Sequence, residues 1–267
     1  MSAVQSRIRT AAAMVVLALA FVPAGVSTQA RPRLAIAAAS DLQAVLPEIV
    51  GAFERARRAS VAVSYGSSGT FFAQIQNGAP FDVFLSADVE YPRQLIAAGL
   101  ADASTLQVYA TGHLVVWARR DRRLDLARGL ASLTDPQVRH VAVANPKYAP
   151  YGRAAVAALR SARLYDALQP KLVMGESLAQ TAQLVESGNA DAGVLSLSLV
   201  LGPTLKAEGT YTEIPASLHP PIDQAVVVVK ASRAGALARD FIAYLRRAET
   251  IDRLTRFGFT VPRPAGR

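Results

Sequence analysis

The feature that most constrains the fold of this chain is the alternation of short apolar runs with segments of helical periodicity. Between the runs, apolar residues recur at helical spacing, as in Ile49, Phe53 and Ala56. Continuous apolar strands separated by amphipathic helices are typical of an α/β fold with mostly parallel sheets covered on both faces. The apolar runs lie at residues 34–38, 61–65, 83–85, 114–117, 141–143, 193–195 and 225–229.

The number of predicted strands favours two lobes over one sheet. The chain has 267 residues, of which 51% are hydrophobic and 18% charged, so it has enough apolar residues to fold and is not intrinsically disordered. No Pro/Gly-rich linker separates the halves, which indicates that strands cross between the lobes. We expect lobe 1 to comprise residues 31–113 and 225–267 and lobe 2 residues 114–224, with Val115, Val116 and Val226 to Val228 on the crossing strands.

Residues 1–30 have the three-part pattern of a secretory signal peptide. Arg7 and Arg9 precede an apolar stretch at residues 11–26, and small residues permit cleavage after Ala30. A membrane anchor is the alternative, but these sixteen residues include a proline and a glycine and fall short of the ~20 that span a bilayer. The chain has no cysteine for lipidation, so we predict export to the periplasm.

Composition excludes several classes of function. The absence of cysteine removes disulfides, thiolate metal ligands and cysteine nucleophiles, and the three histidines are too far apart for a HExxH zinc motif. The net charge is +9, from 29 basic and 20 acidic residues. Because the basic residues are dispersed along the chain, we expect no nucleic-acid partner.

Four junctions between predicted strands and helices are rich in hydroxyl groups, glycine or proline. They lie at residues 40–43, 67–70, 145–152 and 177–180, two in each half of the chain. Ligands of open α/β sheets bind at the carboxyl ends of strands, where helix N-termini present unpaired N–H groups and a partial positive charge. Two facing lobes would bring these N-termini to one cleft, which predicts an anion site.

The alternative for the serines at these junctions is that they only cap their own helices. Ser40 with Gln43, and Ser177 with Gln180, have capping-box spacing, and Ser68 lies at a helix start. Pro47 disfavours helical geometry at the residue before it, so the first regular helix is expected to begin at Pro47. From the residues alone, capping and anion binding both remain open.

The chain resembles the periplasmic molybdate-binding proteins of ABC transporters. This resemblance implies a two-lobed, type II periplasmic-binding fold that closes over molybdate or tungstate and delivers it to an inner-membrane permease. It implies a monomer that is not an enzyme, needs no cofactor and coordinates no metal ion, with molybdenum present only in the molybdate ligand. The motifs lie at residues 37–42 (AAASDL), 65–70 (YGSSGT), 78–88 (GAPFDVFLSAD), 145–152 (NPKYAPYG), 175–178 (GESL), 188–193 (GNADAG) and 256–260 (RFGFT).

The resemblance also implies the binding residues. Ser40 and Ser68 would each provide a hydroxyl and a backbone N–H, and Tyr151 and Leu178 a backbone N–H each. The fifth position, usually a tyrosine in the family, falls on Ser196. Three substitutes for the missing phenol are open, namely Ser196 through a water, Ser198, or the phenol of Tyr151.

Uncharged donors suit a fully deprotonated oxyanion, since an acceptor in the pocket would repel its lone pairs. Asp41 is the exception, and we expect its side chain to point away and to stabilise the helix start through the dipole. Rival ligands are sulfate, chromate or a small organic anion. A secreted serine hydrolase is disfavoured, because residues 66–69 are not GxSxG and no histidine or lysine lies nearby in sequence.

Overall fold

Two five-stranded sheets organise residues 31–262, the part of the chain that the computed structural model describes. The predicted signal peptide at residues 1–30 lies outside the described residues. The ten strands of the described part, in chain order, are β1 (Arg33–Ala39), β2 (Ser60–Gly66), β3 (Val83–Ser86), β4 (Gln107–Gly112), β5 (Leu114–Arg119), β6 (Val141–Ala144), β7 (Leu172–Gly175), β8 (Ala192–Ser196), β9 (Gly209–Glu213) and β10 (Ile222–Val228).

Helices connect most of these strands. None of the helices in residues 31–262 is long and apolar enough to cross a membrane. Within the same residues the α-helices are α1 (Leu46–Arg57), α2 (Ser68–Gln76), α3 (Glu90–Ala97), α4 (Pro150–Ser161), α5 (Tyr165–Leu168), α6 (Leu178–Glu186), α7 (Leu197–Val200), α8 (Pro203–Glu208), α9 (Gly235–Leu245) and α10 (Ala248–Arg256).

Both sheets combine parallel and antiparallel pairs. The first sheet has the order β2-β1-β3-β10-β4, in which β1 is parallel to β2 and β3 while β10 is antiparallel to β3 and β4. The second has the order β7-β6-β8-β5-β9, in which β6 is parallel to β7 and β8 while β5 is antiparallel to β8 and β9. The predicted α/β class is therefore confirmed, but the sheets are mixed rather than mostly parallel. The antiparallel pairs arise at β5 and β10, because each enters its sheet directly from the other sheet rather than through a helical crossover.

The chain passes between the sheets twice. His113 is the single residue between β4 in the first sheet and β5 in the second, and residues 214–221 return from β9 to β10. Val115 and Val116 lie inside β5, and Val226 to Val228 lie inside β10. Each sheet is thus completed by a strand that follows a crossing.

Three apolar clusters cover the sheets. Two of them lie around the first sheet, one with α1, α9 and α10 and the other with α2 and α3. The third surrounds the second sheet with α4, α6, α7 and α8, and it also includes Ala39, the last residue of β1, and Ala87, which follows β3. We call the first sheet with its helices the first half and the second sheet with α4 to α8 the second half. The two halves pack against each other where β1 and β3 end.

Candidate functional site

All four predicted junctions lie at carboxyl ends of strands. In the first half, residues 40–43 follow β1 and residues 67–70 follow the adjacent parallel strand β2. In the second half, residues 145–149 follow β6 and Ser177 comes soon after the adjacent parallel strand β7. Parallel neighbours end at the same edge of a sheet, so each half presents one pair of junctions at one edge.

In the first half, neither candidate serine caps a helix through its side chain. Ser40 begins a short 3₁₀ turn, and its Oγ donates to the carbonyl of Gly66 at 2.8 Å. The cap of α2 is Ser67, whose Oγ accepts from the N–H of Thr70 at 3.3 Å. Ser68 is therefore the first residue of α2. Its own Oγ, which is buried, accepts from a backbone N–H, as described below.

The hydroxyl of Ser68 accepts a hydrogen bond from the backbone N–H of Ala87 at 2.9 Å. A hydroxyl that accepts from a backbone N–H keeps its own proton to donate. The position at the start of α2 also leaves the N–H of Ser68 without an intrahelical partner. Ser68 thus has two donors available at a helix N-terminus.

In the second half, the candidate residues contribute through the backbone. Tyr151 is the first residue of α4 that has an N–H, because Pro150 occupies the first helical position. Leu178 is the first residue of α6, which Ser177 caps by accepting from the N–H of Gln180 at 3.2 Å. Capping is thus the role of Ser177, while Tyr151 and Leu178 present N–H groups that have no intrahelical partner.

Ser196 ends β8 and is fully buried. Its Oγ accepts from the N–H of Leu199 at 3.3 Å and lies 3.0 Å from the hydroxyl of Ser198. The hydroxyl of Ser198 is in turn 2.7 Å from the backbone carbonyl of Asp41 in the first half. Ser196 and Ser198 therefore form a hydroxyl pair that links the halves, at the position where the family has a tyrosine.

Several hydrogen bonds bring the halves together around these junctions. The N–H of Gly69 donates to the carbonyl of Tyr148 at 2.8 Å, and the phenol of Tyr91 donates to the carbonyl of Lys147 at 3.4 Å. A Cβ on Gly69 would lie 2.6 Å from the phenol oxygen of Tyr91 and 2.8 Å from the carbonyl of Tyr148, so glycine permits this approach. The α6 helix also contacts the 3₁₀ turn at Ser40.

Asp41 does not have the position that the sequence suggested. Its side chain is buried, with 1% of the residue exposed, and it reaches the second half, where the phenol of Tyr151 donates to Oδ2 at 3.1 Å. Burial raises the pKa of Asp41 to about 7, although hydrogen bonds from Tyr151 and Gln224 oppose this rise. The expectation that the side chain points away to stabilise a helix start was wrong, since a three-residue turn has almost no dipole and the carboxyl has a partner across the cleft.

The phenol of Tyr151 is part of the same buried cluster. Besides donating to Asp41, it accepts from Gln224 Nε2 at 3.4 Å, and burial and the nearby carboxyl raise its pKa well above the usual value. A Cβ on Gly112 would lie 1.9 Å from this phenol oxygen, so only glycine leaves room for it. The Tyr151 phenol was one of three groups considered for the fifth contact, besides Ser196 and Ser198. It donates its hydrogen bond to Asp41 instead.

At the outer edge of the same cleft, Arg153 of α4 forms an ion pair with Asp88 of the first half. Arg153 also lies over the ring of Tyr91, 5.4 Å from its centroid, and donates to its phenol at 3.3 Å. Sequence analysis found neither this pair nor the Asp41–Tyr151 contact. The one signal for the second was an acidic residue two positions after the end of a buried strand.

The arrangement is better suited to binding an anion than to binding a cation or catalysing a reaction. The five candidate residues are uncharged, and they lie at helix N-termini or strand ends of both halves. Within residues 31–262, no group of three or more histidine, aspartate or glutamate side chains could hold a metal ion. The Ser68 hydroxyl is bonded to a backbone N–H rather than to a general base.

Comparisons with known proteins agree with this geometry. The family model described as "Bacterial extracellular solute-binding protein" matches residues 34–260. The chain is 36% identical to the molybdate-binding protein ModA of Rhodobacter capsulatus over 79% of this chain and 82% of that protein. It is also 36% identical to ModA of Azotobacter vinelandii, over 84% and 88%. The solved structure of the Azotobacter vinelandii periplasmic molybdate-binding protein superposes with a TM-score of 0.80 and 32% identity, covering 86% of this chain and all of that one.

Proposed function

The chain belongs to the bacterial extracellular solute-binding proteins, in the family of the molybdate-binding proteins, and from this we propose that it captures molybdate or tungstate for an ABC transporter. One observation carries the proposal, namely 36% identity to two ModA proteins over about four fifths of the chain. The two-sheet fold with its facing helix N-termini supports the same function. Molybdate is the transported ligand and not a cofactor.

The residues proposed to hold the anion are those at the facing junctions. Ser68 would donate through its hydroxyl and N–H, Ser40 through its N–H, and Tyr151 and Leu178 through their N–H groups at the starts of α4 and α6. In the fifth position we propose Ser196, acting with the adjacent hydroxyl of Ser198. These uncharged donors would balance a dianion through the partial positive charge of the helix N-termini.

The two sheets are proposed to be the cores of two lobes. Lobe 1 would comprise residues 31–113 and 225–267, and lobe 2 residues 114–224. Crossings at His113 and at residues 214–221 are suited to act as a hinge, because they are the two places where the backbone passes between sheets. Since candidate donors come from both lobes, closure would be needed to complete the site.

Location and partners follow from the family and from the first thirty residues. The pattern at residues 1–30 supports export by a signal peptide to the periplasm, where the protein would act as a monomer. Its partner would be an inner-membrane ABC permease, with no role for nucleic acid. Catalysis is not part of the proposal, since the relatives are binding proteins and the Ser68 hydroxyl is bonded to the backbone N–H of Ala87.

The test of the proposed function is calorimetric titration of the purified mature protein with molybdate, tungstate, sulfate and chromate. Molybdate and tungstate have nearly equal size, so we expect their dissociation constants to agree within about tenfold, since the same donors serve both. Sulfate is smaller and would miss some donors in a closed site. Two missed contacts at about 1–3 kcal/mol each amount to a roughly thirty- to ten-thousandfold weaker affinity. Sulfate or chromate displacing molybdate at comparable concentration would contradict the choice of ligand.

Variants of two adjacent serines show whether Ser68 belongs to the site. Ser68→Ala removes a hydroxyl donor to a dianion, worth about 1.5–3 kcal/mol, so affinity for molybdate should fall about ten- to a hundredfold. It also leaves the Ala87 N–H without its acceptor, so some loss of stability is expected. The matched control Ser67→Ala removes the cap of α2 instead and should lower the melting temperature with little change in affinity. Equal affinity loss in both variants would remove Ser68 from the site.

A further inference from the structure

Asp41 lies where several of the proposed anion-binding residues meet. It directly follows Ser40 in the 3₁₀ turn, and Oδ2 accepts from the phenol of Tyr151 at 3.1 Å. Its backbone carbonyl is 2.7 Å from the hydroxyl of Ser198, which is 3.0 Å from that of Ser196. Asp41 is therefore linked directly to Tyr151, and through Ser198 to Ser196, two of the candidate residues of the second half.

The surroundings of this carboxyl contain no balancing positive charge. The titratable groups that face it are phenols, Tyr151 from α4 and Tyr109 from β4, and β10 presents the amide of Gln224. Of the two other helices at this turn, α7 has no titratable residue, and α6 has only Glu186, at its far end. Within the described residues, no cation contributes to the pKa of Asp41.

Part of the buried cluster has no partner in the described residues. Asp41 Oδ1, the phenol oxygen of Tyr109 and Oε1 of Gln224 are each buried without a hydrogen-bond partner there. A buried carboxylate normally has its lone pairs satisfied by donors or by a cation. A protonated carboxyl needs fewer donors and can itself donate, so this geometry suits the neutral form of Asp41.

We propose that Asp41 is a positioning residue of the anion site and that its carboxyl takes up one proton from solvent when a divalent oxyanion binds. The inference rests on the proposed function, because it requires a dianion next to Ser40. An ionised carboxylate in the same turn would repel that dianion through a dry medium with little screening. The protonated form removes the repulsion and keeps the link to Tyr151, whose N–H lies at the start of α4.

The coupling between protonation of Asp41 and anion binding determines how molybdate affinity changes with pH. With the two halves packed as in this structure, the pKa of Asp41 is about 7 before an anion binds, and a bound dianion raises it further because like charges disfavour ionisation. Affinity is then constant below that pH and falls above it, by at most tenfold per pH unit for one proton. Molybdate, tungstate and sulfate carry two negative charges throughout the range from pH 6 to 9, so the ligand itself does not titrate there.

The experiment measures molybdate binding by calorimetry between pH 6 and pH 8.5, in pairs of buffers with different ionisation enthalpies. We expect uptake approaching one proton per molybdate at pH 8 and a dissociation constant about tenfold or more weaker at pH 8.5 than at pH 6. Asp41→Asn has nearly the same shape without the charge, so its affinity should be independent of pH and no proton should be taken up. The control Asp240→Asn removes a carboxylate from the exposed Arg57 pair and should keep the wild-type profile.

The outcomes separate this inference from the function on which it rests. Tight molybdate binding by the wild-type protein with no proton uptake and a flat pH profile overturns the role of Asp41 and leaves the function standing. Proton uptake that persists in Asp41→Asn also overturns it, since another group then titrates. If the wild-type protein binds none of the oxyanions at any pH, the proposed function fails, and the inference fails with it. The wild-type measurement decides the matter even if the Asn variant does not fold.

Discussion

Two contacts join the same two halves of this molecule in opposite environments. Asp41 and Tyr151 meet in the interior, where Asp41 is 1% exposed and Tyr151 3% exposed. Asp88 and Arg153 meet at the edge of the cleft, where 14% of the Asp88 side chain and 43% of the Arg153 side chain are exposed. Both pairs connect the first half to α4, within a few residues of its N-terminus.

The comparison shows that burial decides whether an acidic residue between the two halves responds to pH near neutrality. At the edge, water screens the charges and a formal ion pair contributes little. In the interior, burial raises the pKa of Asp41 to about 7, so the interior contact is the one whose strength depends on pH near neutrality. Two kinds of substitution can be made in both environments, and a third measurement addresses the edge pair by itself.

The largest expected effect is on the stability of the ligand-free protein between pH 5 and pH 8. The folded pKa of Asp41, about 7, is raised above the value of 3.8 for an unperturbed aspartate, so the folded state binds the proton more tightly. Stability is then full below about pH 4 and falls by about 1.4 kcal/mol per pH unit until the pH reaches about 7, which amounts to roughly 2–3 kcal/mol between pH 5 and pH 8. Urea unfolding of the wild-type protein at several pH values measures this loss.

The matched variants for that measurement are Asp41→Asn and Asp88→Asn. The first should remove this part of the pH dependence and be more stable than the wild-type protein at pH 8, whereas the second should keep it. The difference in unfolding free energy between the wild-type protein and Asp41→Asn should therefore change from pH 5 to pH 8. A difference that stays constant would show that the ionised carboxyl of Asp41 is stabilised in the interior and that its pKa is not raised.

A smaller effect is expected from removing a phenol hydroxyl in each environment. Tyr151→Phe takes the donor away from buried Asp41 and should cost about 1–3 kcal/mol of unfolding free energy. Tyr91→Phe removes an exposed hydroxyl that donates to the Lys147 carbonyl at 3.4 Å and should change stability by less than about 0.5 kcal/mol. Thermal or urea unfolding at pH 6 compares them, and equal losses would mean that burial is not the deciding factor.

The smallest effect is expected at the edge pair itself. A double-mutant cycle of Asp88→Asn and Arg153→Gln should give a coupling energy of about 0.2–1 kcal/mol in molybdate affinity, decreasing with added salt. Calorimetric dissociation constants at about 50 mM and about 500 mM salt measure the coupling energy and its dependence on salt. A coupling energy well above this range that does not decrease with salt would mean that the edge pair is as little screened by solvent as the interior contact.

The strands that sequence analysis recognised and those it did not differ in their position in the sheets. All seven predicted runs coincide with strands, among them every interior strand of both sheets. The three strands that were not predicted, β4, β7 and β9, are all at sheet edges. Edge strands have one unpaired side and more exposure, as in β9, where the sequence GTYTE has no apolar pattern. The β2 edge strand was predicted because residues 61–65 form one of the apolar runs.

The start of the first helix was predicted to within one residue, whereas the roles of the junction serines were predicted less well. The α1 helix begins at Leu46, one residue before the expected Pro47, because a proline in the first turn needs no N–H. Capping-box spacing correctly indicated Ser177 but not Ser40, whose hydroxyl bonds to Gly66 on the neighbouring strand. A hydroxyl at a helix start has several acceptors within reach, and sequence spacing does not rank those that come from another strand.

The sequence by itself determined the alternation of strands and helices, the α/β class, and the positions of hydroxyls and helix N-termini at strand ends. These follow from local periodicity and from the chemistry of capping and turns, which act over a few neighbouring residues. Only the tertiary structure decided that β5 and β10 run antiparallel to their neighbours, that Ser198 reaches Asp41, and that Asp41 is buried against Tyr151. Those contacts join residues that are far apart in the chain, such as Asp41 and Tyr151 at a separation of 110. Burial and pairing at such distances depend on how the two halves pack, which no local pattern encodes.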